Sequence, residues 1–432
     1  MSNNIVTVTV SQQVGSAPNT LQRTGAFVSQ GGTTLAAGSS KLITQVSDLT
    51  SILTGSTSLT AITWLANVVT FTTTVAHGVT VGQTVQVTIS GVVPTGYNGT
   101  FLATATTTTA MTYTLAVNPG TQTVLGAYTP GAAAQVSSMA STFFGQGTTN
   151  AVYVLELGIG SPAAGVTSLA AYIANPTVQF YSYLLPTTWD AESTAPTMTK
   201  TYSSPTSQVY FYVSSTLATY ANWALIKSVY VNLQSPSAPA TEFSCAAPFW
   251  AGLNYNPSAS NMVGPFEYIY VYGVTPYVLT NSQQTTLTAN NVNWIGTGAQ
   301  GQISNTLVQN GVFSDAHPFN YWYGIDWAAI NCQVAVAAAV INGSNTPQNP
   351  LYYNQAGINS LQKVAQNVAN NGISFGILTN PATVFATPFN TYIAANPANY
   401  TAGIYTGLSL TIVPQRGFAA VTINLTAGLI PV

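Results

Sequence analysis

Two glycine-flanked motifs and one histidine cluster are where this sequence could do chemistry. Gly296-Thr297-Gly298-Ala299-Gln300-Gly301 has the spacing of a dinucleotide-binding turn and follows a candidate strand. Such a turn holds a pyrophosphate only when a helix opens at its third glycine and presents free amides. Ile303 to Val308 runs straight into Asn310-Gly311, too short and polar for that helix, so a glycine-rich turn is expected. Gly372-Ile373-Ser374-Phe375-Gly376 matches a nucleophile elbow, which sets its serine on a strand-to-helix turn. Here the serine follows a helical stretch and no histidine lies downstream, so a strand-edge serine is the expectation.

His317 stands two residues from Asp315, with Asp326 further on, and together they are a weak metal-ligand set without a second His or Cys nearby. A polar loop before a helix is the simpler expectation. Asp190 and Glu192 lie in a Pro- and Thr-rich stretch that reads as solvated, and His77-Gly78 reads as a turn between strands. Asn98 and Asn342 fit the glycosylation sequon but read as turns. Cys245 and Cys332 are too few for a disulfide framework and have no zinc spacing. No catalytic, cofactor or metal site is expected, and the chain does not read as an enzyme.

The scarcity of chemistry follows from the scarcity of charge. Six basic and eight acidic residues make up 3% of 432, against about 25% in an average soluble chain. The 107 residues between Asp48 and Glu156 carry none. Nucleic-acid binding needs clustered Lys and Arg, whereas these are scattered singly. Disorder pairs low hydrophobicity with high net charge; here the hydrophobic share is 47%, the net charge −2 and the mean hydropathy +0.28. The longest clearly apolar run, Val334 to Ile341, is eight residues, so no membrane insertion is expected. Met1 to Asn4 has neither a basic nor an apolar leader, and no signal peptide is expected.

The elements that would position these residues fall into three styles. Ile5-Val6-Thr7-Val8-Thr9-Val10 alternates in β-branched residues and reads as a strand, followed by a polar, Gly-rich stretch and a short mixed segment over Lys41 to Leu53. From Ser58 to Pro130 strands are expected at Val68 to Thr73, Thr84 to Ile89, Gly99 to Thr104 and Met111 to Val117, separated by turn residues, as in a small inserted all-β module. Strand and helix then alternate, as in a largely parallel sheet. Strands are expected at Asn150 to Leu157, Val178 to Leu185, Gln208 to Val213 and Ser228 to Leu233, with helices at Val166 to Ala174, Leu217 to Ile226 and Thr241 to Leu253. The last third mixes strands at Phe266 to Tyr272 and Asn291 to Ile295 with a buried helix at Ile325 to Ile341. An amphipathic helix follows at Ala356 to Asn370, capped by Asn371-Gly372. Leu408 to Ile412 and Val421-Thr422-Ile423-Asn424-Leu425 read as closing strands.

Asn4 to Ser11 with Asn19-Thr20-Leu21-Gln22-Arg23-Thr24-Gly25 and Gly31-Gly32-Thr33-Thr34 resembles the start of contractile-phage tail sheath proteins. So do Phe143-Phe144-Gly145-Gln146-Gly147 leading into Val152 to Glu156, and Tyr323-Gly324-Ile325-Asp326-Trp327. The insert resembles a small β module of phage tail and other surface proteins. That resemblance implies a virion protein made in the host cytoplasm, six subunits per ring, stacked helically around a tail tube with baseplate and terminator partners. It implies a mixed α/β core at 21–57 and 265–432, an inserted outer β domain at 58–130, an α/β domain at 131–264, and terminal arms at 1–20 and about 415–432. Ile5, Val6, Thr7, Val8, Thr9 and Val10, and Val421, Thr422, Ile423, Asn424 and Leu425, would then pair as strands with neighbouring subunits. A capsid or S-layer subunit is the alternative lattice protein.

Overall fold

The computed structural model describes residues 18–147, 151–298, 305–345 and 350–417. In chain order the elements begin with β1 (Gly25–Ser29) and β2 (Ser40–Ile43). A barrel follows, of β3 (Thr57–Leu65), β4 (Val68–Thr73), β5 (Thr84–Ser90), β6 (Gly99–Ala105), β7 (Ala110–Thr114) and β8 (Ala127–Pro130). Next come α1 (Gly131–Gly145), β9 (Val152–Glu156), α2 (Pro162–Ala174), β10 (Ser182–Leu184), α3 (Thr194–Lys200), β11 (Tyr210–Ser215), β12 (Val229–Leu233) and α4 (Ala246–Asn254). The rest comprises α5 (Asn281–Ala289), β13 (Asn293–Thr297), β14 (Thr306–Gln309), α6 (Phe319–Asn345), α7 (Gln355–Ser374), β15 (Thr383–Ala386), α8 (Phe389–Ala395), α9 (Pro397–Thr401) and β16 (Leu408–Thr411).

Eight strands form one sheet in the order β14-β13-β12-β11-β10-β1-β9-β2. Its interior pairings are parallel and only the two outermost, β13–β14 and β2–β9, are antiparallel. Parallel strands are buried on both faces, and the side chains alternate accordingly. Phe27, Val154, Tyr210, Tyr212 and Tyr230 enter the layer beneath α1, α4 and α6. Ala26, Leu155, Phe211, Val213 and Val231 enter the opposite layer with Leu169 of α2 and Trp189. The sheet takes strands from 21–57, 131–264 and 265–432 alike.

The expected all-β insert is a closed six-stranded barrel in the order β3-β4-β7-β6-β5-β8. Closure removes free edges, and Ile62, Phe71, Val87, Ala103 and Met111 fill the interior. β8 runs directly into α1, where a Cβ on Gly131 would stand 2.5 Å from the Gln86 side chain of β5. That glycine lets the barrel sit against the helix.

Several expected elements differ. β1 was not expected: this interior strand of the sheet lies in what reads as a polar, Gly-rich stretch. Leu217 to Ile226 is not a helix but a 3-10 turn at Tyr220–Trp223, stopped by Leu225 at φ 59°. Phe266 to Tyr272 makes one isolated bridge, Tyr270 to Leu307, because Tyr268 takes φ 66° and breaks the extended run. Gly372 does not cap α7. The helix continues to Ser374, and Gly372 is where α7 approaches Leu378 and Trp327, with a Cβ there 2.6 and 2.8 Å from their side chains. α6 is longer than expected and buried only through Ile330; Val334 and Ile341 are 40% and 52% exposed. Among the described residues α6 alone is long and apolar enough to cross a membrane, but its first half carries Phe319, Trp322, Tyr323 and Trp327 into the core. Asn342 lies within α6 rather than in a turn.

Candidate functional site

Strand pairing with a neighbour needs an open sheet edge, and the described residues offer three kinds. At β14 the edge is covered: Tyr268 N–H donates to Val308 O (2.9 Å), Val308 N–H to Ile269 O (3.0 Å) and Val271 N–H to Thr306 O (3.0 Å). At β2 the edge carries exposed Lys41, the kind of charge that discourages edge-to-edge pairing. The third lies in the small antiparallel sheet of β15 and β16.

One side of that sheet is closed by α7. Gln366 Oε1 accepts from Val384 N–H (2.9 Å), Gln362 Nε2 donates to Val384 O (2.8 Å), and Gln366 Nε2 donates to Ala382 O (2.9 Å). These glutamines, one helical turn apart, supply β15 with the partners a third strand would give. The outer edge of β16, Leu408-Ser409-Leu410-Thr411, has no main-chain partner among the described residues and no charged side chain. Phe385 stands 63% exposed on β15. A two-stranded sheet is marginal alone, and this one is held by α7 through the two glutamines.

Buried polar groups hold the frame. Glu156, at the end of β9, accepts from Ser29 Oγ (2.7 Å), Gly31 N–H (2.6 Å), Thr33 N–H (3.0 Å), Thr33 Oγ1 (2.8 Å) and Gly158 N–H (2.8 Å). It thereby ties the loop after β1 to β9. Asp190 is not solvated: it is buried, and accepts from Trp223 Nε1 (2.8 Å) and from Thr219 Oγ1, which fastens the Tyr220–Trp223 turn. Glu192 instead caps α3 by accepting from Thr194 N–H and Oγ1.

Asp326 is buried on α6, its Oδ2 accepting from Tyr181 OH (2.8 Å) and Tyr210 OH (2.7 Å). Burial raises its carboxyl to about 6, opposed by the charge of Lys227 and by the two phenols. Lys227 Nζ lies between the Tyr210 and Trp322 rings at 4.8 and 4.5 Å and donates to Ser207 O (2.6 Å). Burial lowers its pKa, against the pull of Asp326 and Asp315.

Each of these side chains is engaged in hydrogen bonds or ring contacts that tie elements of the fold together. Asp315 receives Trp322 Nε1 (2.8 Å) and pairs with His317 Nδ1 (3.0 Å), while Asp326 faces the tyrosines; no group of three metal-ligating side chains forms among the described residues. Ser374 ends α7 and is followed by a turn, with the next strand, β15, starting only at Thr383, and Gly296 pairs with Leu307 inside a β-hairpin. His77 sits in the barrel loop, with Nε2 2.9 Å from Thr107 O and Nδ1 accepting from Val79 N–H. The expected arm residues, Ile5 to Val10 and Val421 to Leu425, lie outside the described residues.

Sequence reading missed that the outer edge of β16 lacks a main-chain partner among the described residues, that Gln362 and Gln366 close the other side of its sheet, and that Glu156 is a clamp. The i, i+4 spacing of the glutamines was the available signal for the second.

No protein-family model and no curated protein sequence matches the chain. Solved structures do. The sheath tail protein from Listeria innocua aligns at 10% identity over 90% of this chain and 94% of its own, with a TM-score of 0.43. The sheath tail protein from Desulfitobacterium hafniense aligns at 11% identity over 95% and 99%, with a TM-score of 0.42. A chain of the six-fold symmetrised anti-feeding prophage baseplate aligns at 11% identity over 98% of both chains, with a TM-score of 0.56. Over nearly all of its length, the chain therefore shares the fold of a chain in the anti-feeding prophage baseplate.

Proposed function

We propose that this chain is a structural, non-enzymatic subunit of a contractile tail sheath. Copies would form six-membered rings, stack helically around a tail tube between baseplate and terminator, and drive the tube through the host envelope on contraction. The observation that carries this reading is the shared fold with the baseplate chain over 98% of both molecules. The β16 edge, which has no main-chain partner among the described residues, supports it, because strand addition supplies main-chain hydrogen bonds whatever the side chains are.

The subunit would be made in the host cytoplasm and reside in the virion. Residues 1–20 and about 415–432 would act as arms, placing Ile5 to Val10 or Val421 to Leu425 of one subunit on the β16 edge of the next. The barrel would decorate the outer surface. Deleting residues 1–12 should leave a folded monomer, by circular dichroism and gel filtration, that no longer forms tubes in negative-stain micrographs. Tubes of normal length from the deleted chain would overturn the arm assignment.

A further inference from the structure

A cleft of about 1070 Å³ runs beside α5 and has no part in the β16 edge. Its walls are unusually constrained. Tyr268 (φ 66°), Asn310 (φ 76°) and Ala316 (φ 72°) all line it, three of eight non-glycine residues with positive φ among those described. Such conformations are costly for non-glycine residues and gather where a backbone is held in place for a ligand. Between them, Gly311 (φ 67°) lets the two walls meet, since a Cβ there would stand 2.8 Å from Glu267 Cα.

The cleft's chemistry suits a neutral, extended peptide. Glu267 and Arg416, two of only 14 charged residues, face it together and leave it without net charge. Gln284, Thr285 and Thr288 of α5 add amide and hydroxyl groups that both donate and accept, as a peptide backbone requires. Trp294 gives the cleft an aromatic base.

Where the described chain ends names the occupant. Gly417 lines this cleft and lies so close to its wall that a Cβ would be 2.5 Å from the Pro265 ring. Fifteen residues follow, 418–432, with no charged side chain and with Val421, Ile423 and Leu425 alternating with Thr422 and Asn424. A tether that starts at the site costs little to close and gives a high effective concentration.

We propose that in the unassembled subunit the C-terminal segment 418–432 docks into this cleft of its own chain, and that assembly draws it out. The same segment cannot serve its own cleft and a neighbour's edge together, so docking in cis restrains premature polymerisation. The docking stands whether or not the chain forms a sheath; the effect on assembly rests on that reading.

The test uses the full chain. Chymotrypsin cleavage within 418–432, after Phe418, Leu425 or Leu429, followed by intact mass, reports exposure of the segment. Thr285→Trp with Thr288→Trp fills the cleft from an exposed helix face, and Gln284→Ala with Gln309→Ala removes amides without adding bulk. Both pairs should speed cleavage about tenfold, the loss of roughly 1.4 kcal/mol of docking, while Thr63→Trp on the barrel should not. Equal cleavage rates in the native chain and both cleft variants would overturn the proposal. The cleft variants should also form tubes at lower concentration than the native chain. Failure of every chain to form tubes would count against the sheath reading and leave the cleavage result to decide the docking.

Discussion

Asp326 occupies the place in this molecule least favourable to a carboxylate. It lies fully inside the layer between α6 and the sheet, with phenols for partners and Lys227 near enough to act on it but not bridged to it. Its carboxyl is raised from 3.8 to about 6, so the folded state binds a proton more tightly than the unfolded chain does. Stability from this group is complete below about pH 4 and is lost as pH rises through 6. The two values correspond to about 3 kcal/mol at pH 7. Asp326→Asn keeps an oxygen for the tyrosines and removes the titration. Urea midpoints of the native chain should therefore fall between pH 4 and 7 relative to those of Asp326→Asn. Parallel pH profiles for the two chains would show that the carboxylate is not paying this desolvation cost.

At the scale of elements, the same layer is built from tyrosines to an unusual degree. Tyr210 and Tyr212 of β11, Tyr230 of β12, Tyr323 of α6 and Tyr181 beside β10 are all buried together. Rings meet at 4.9 Å (Tyr181–Tyr210) and 5.2 Å (Tyr212–Tyr230). Burial raises every one of these phenols above its ordinary value near 10. Each is held neutral by the fold, so its contribution is intact below pH 10 and lost as the unfolded chain begins to ionise above it. The sheet should thus unfold cooperatively in alkali, with tyrosinate absorbance and loss of near-ultraviolet dichroism appearing together. Stepwise tyrosinate absorbance in a chain that keeps its dichroism would contradict this.

Elements also show what the sequence could reveal. The barrel strands were legible because one face is wet: Val69 and Phe71 point in while Val68 and Thr70 point out. β1 was not, since Gly25-Ala26-Phe27-Val28-Ser29 is buried on both faces and only its distant partners β9 and β10 define it as a strand. Asp190 looked solvated for a related reason. Its partner Trp223 is 33 residues away and meets it only through the fold. The β16 strand was expected, but the edge it offers depends on α7 closing the other side.

For the whole molecule, the shortage of charge decides how copies could meet. Glu156, Asp190, Lys227 and Asp326 are buried, which takes four of the 14 charges off the surface. Between Lys363 and Arg416 lie 52 residues with none, and they include β15, β16 and much of α7. Contacts made through this stretch would rest on main-chain hydrogen bonds and on exposed apolar groups such as Phe385. Salt screens exposed charges over about 10 Å at 0.1 M, and here there is almost nothing to screen. Assembly followed by light scattering should therefore change little from about 0.05 to about 1 M sodium chloride. Sulfate, which strengthens apolar burial by its exclusion from protein surface, should lower the concentration needed for assembly. Dissolution of the polymer by moderate sodium chloride would mean that the few surface ions, Lys41 at the β2 edge among them, carry the contacts instead.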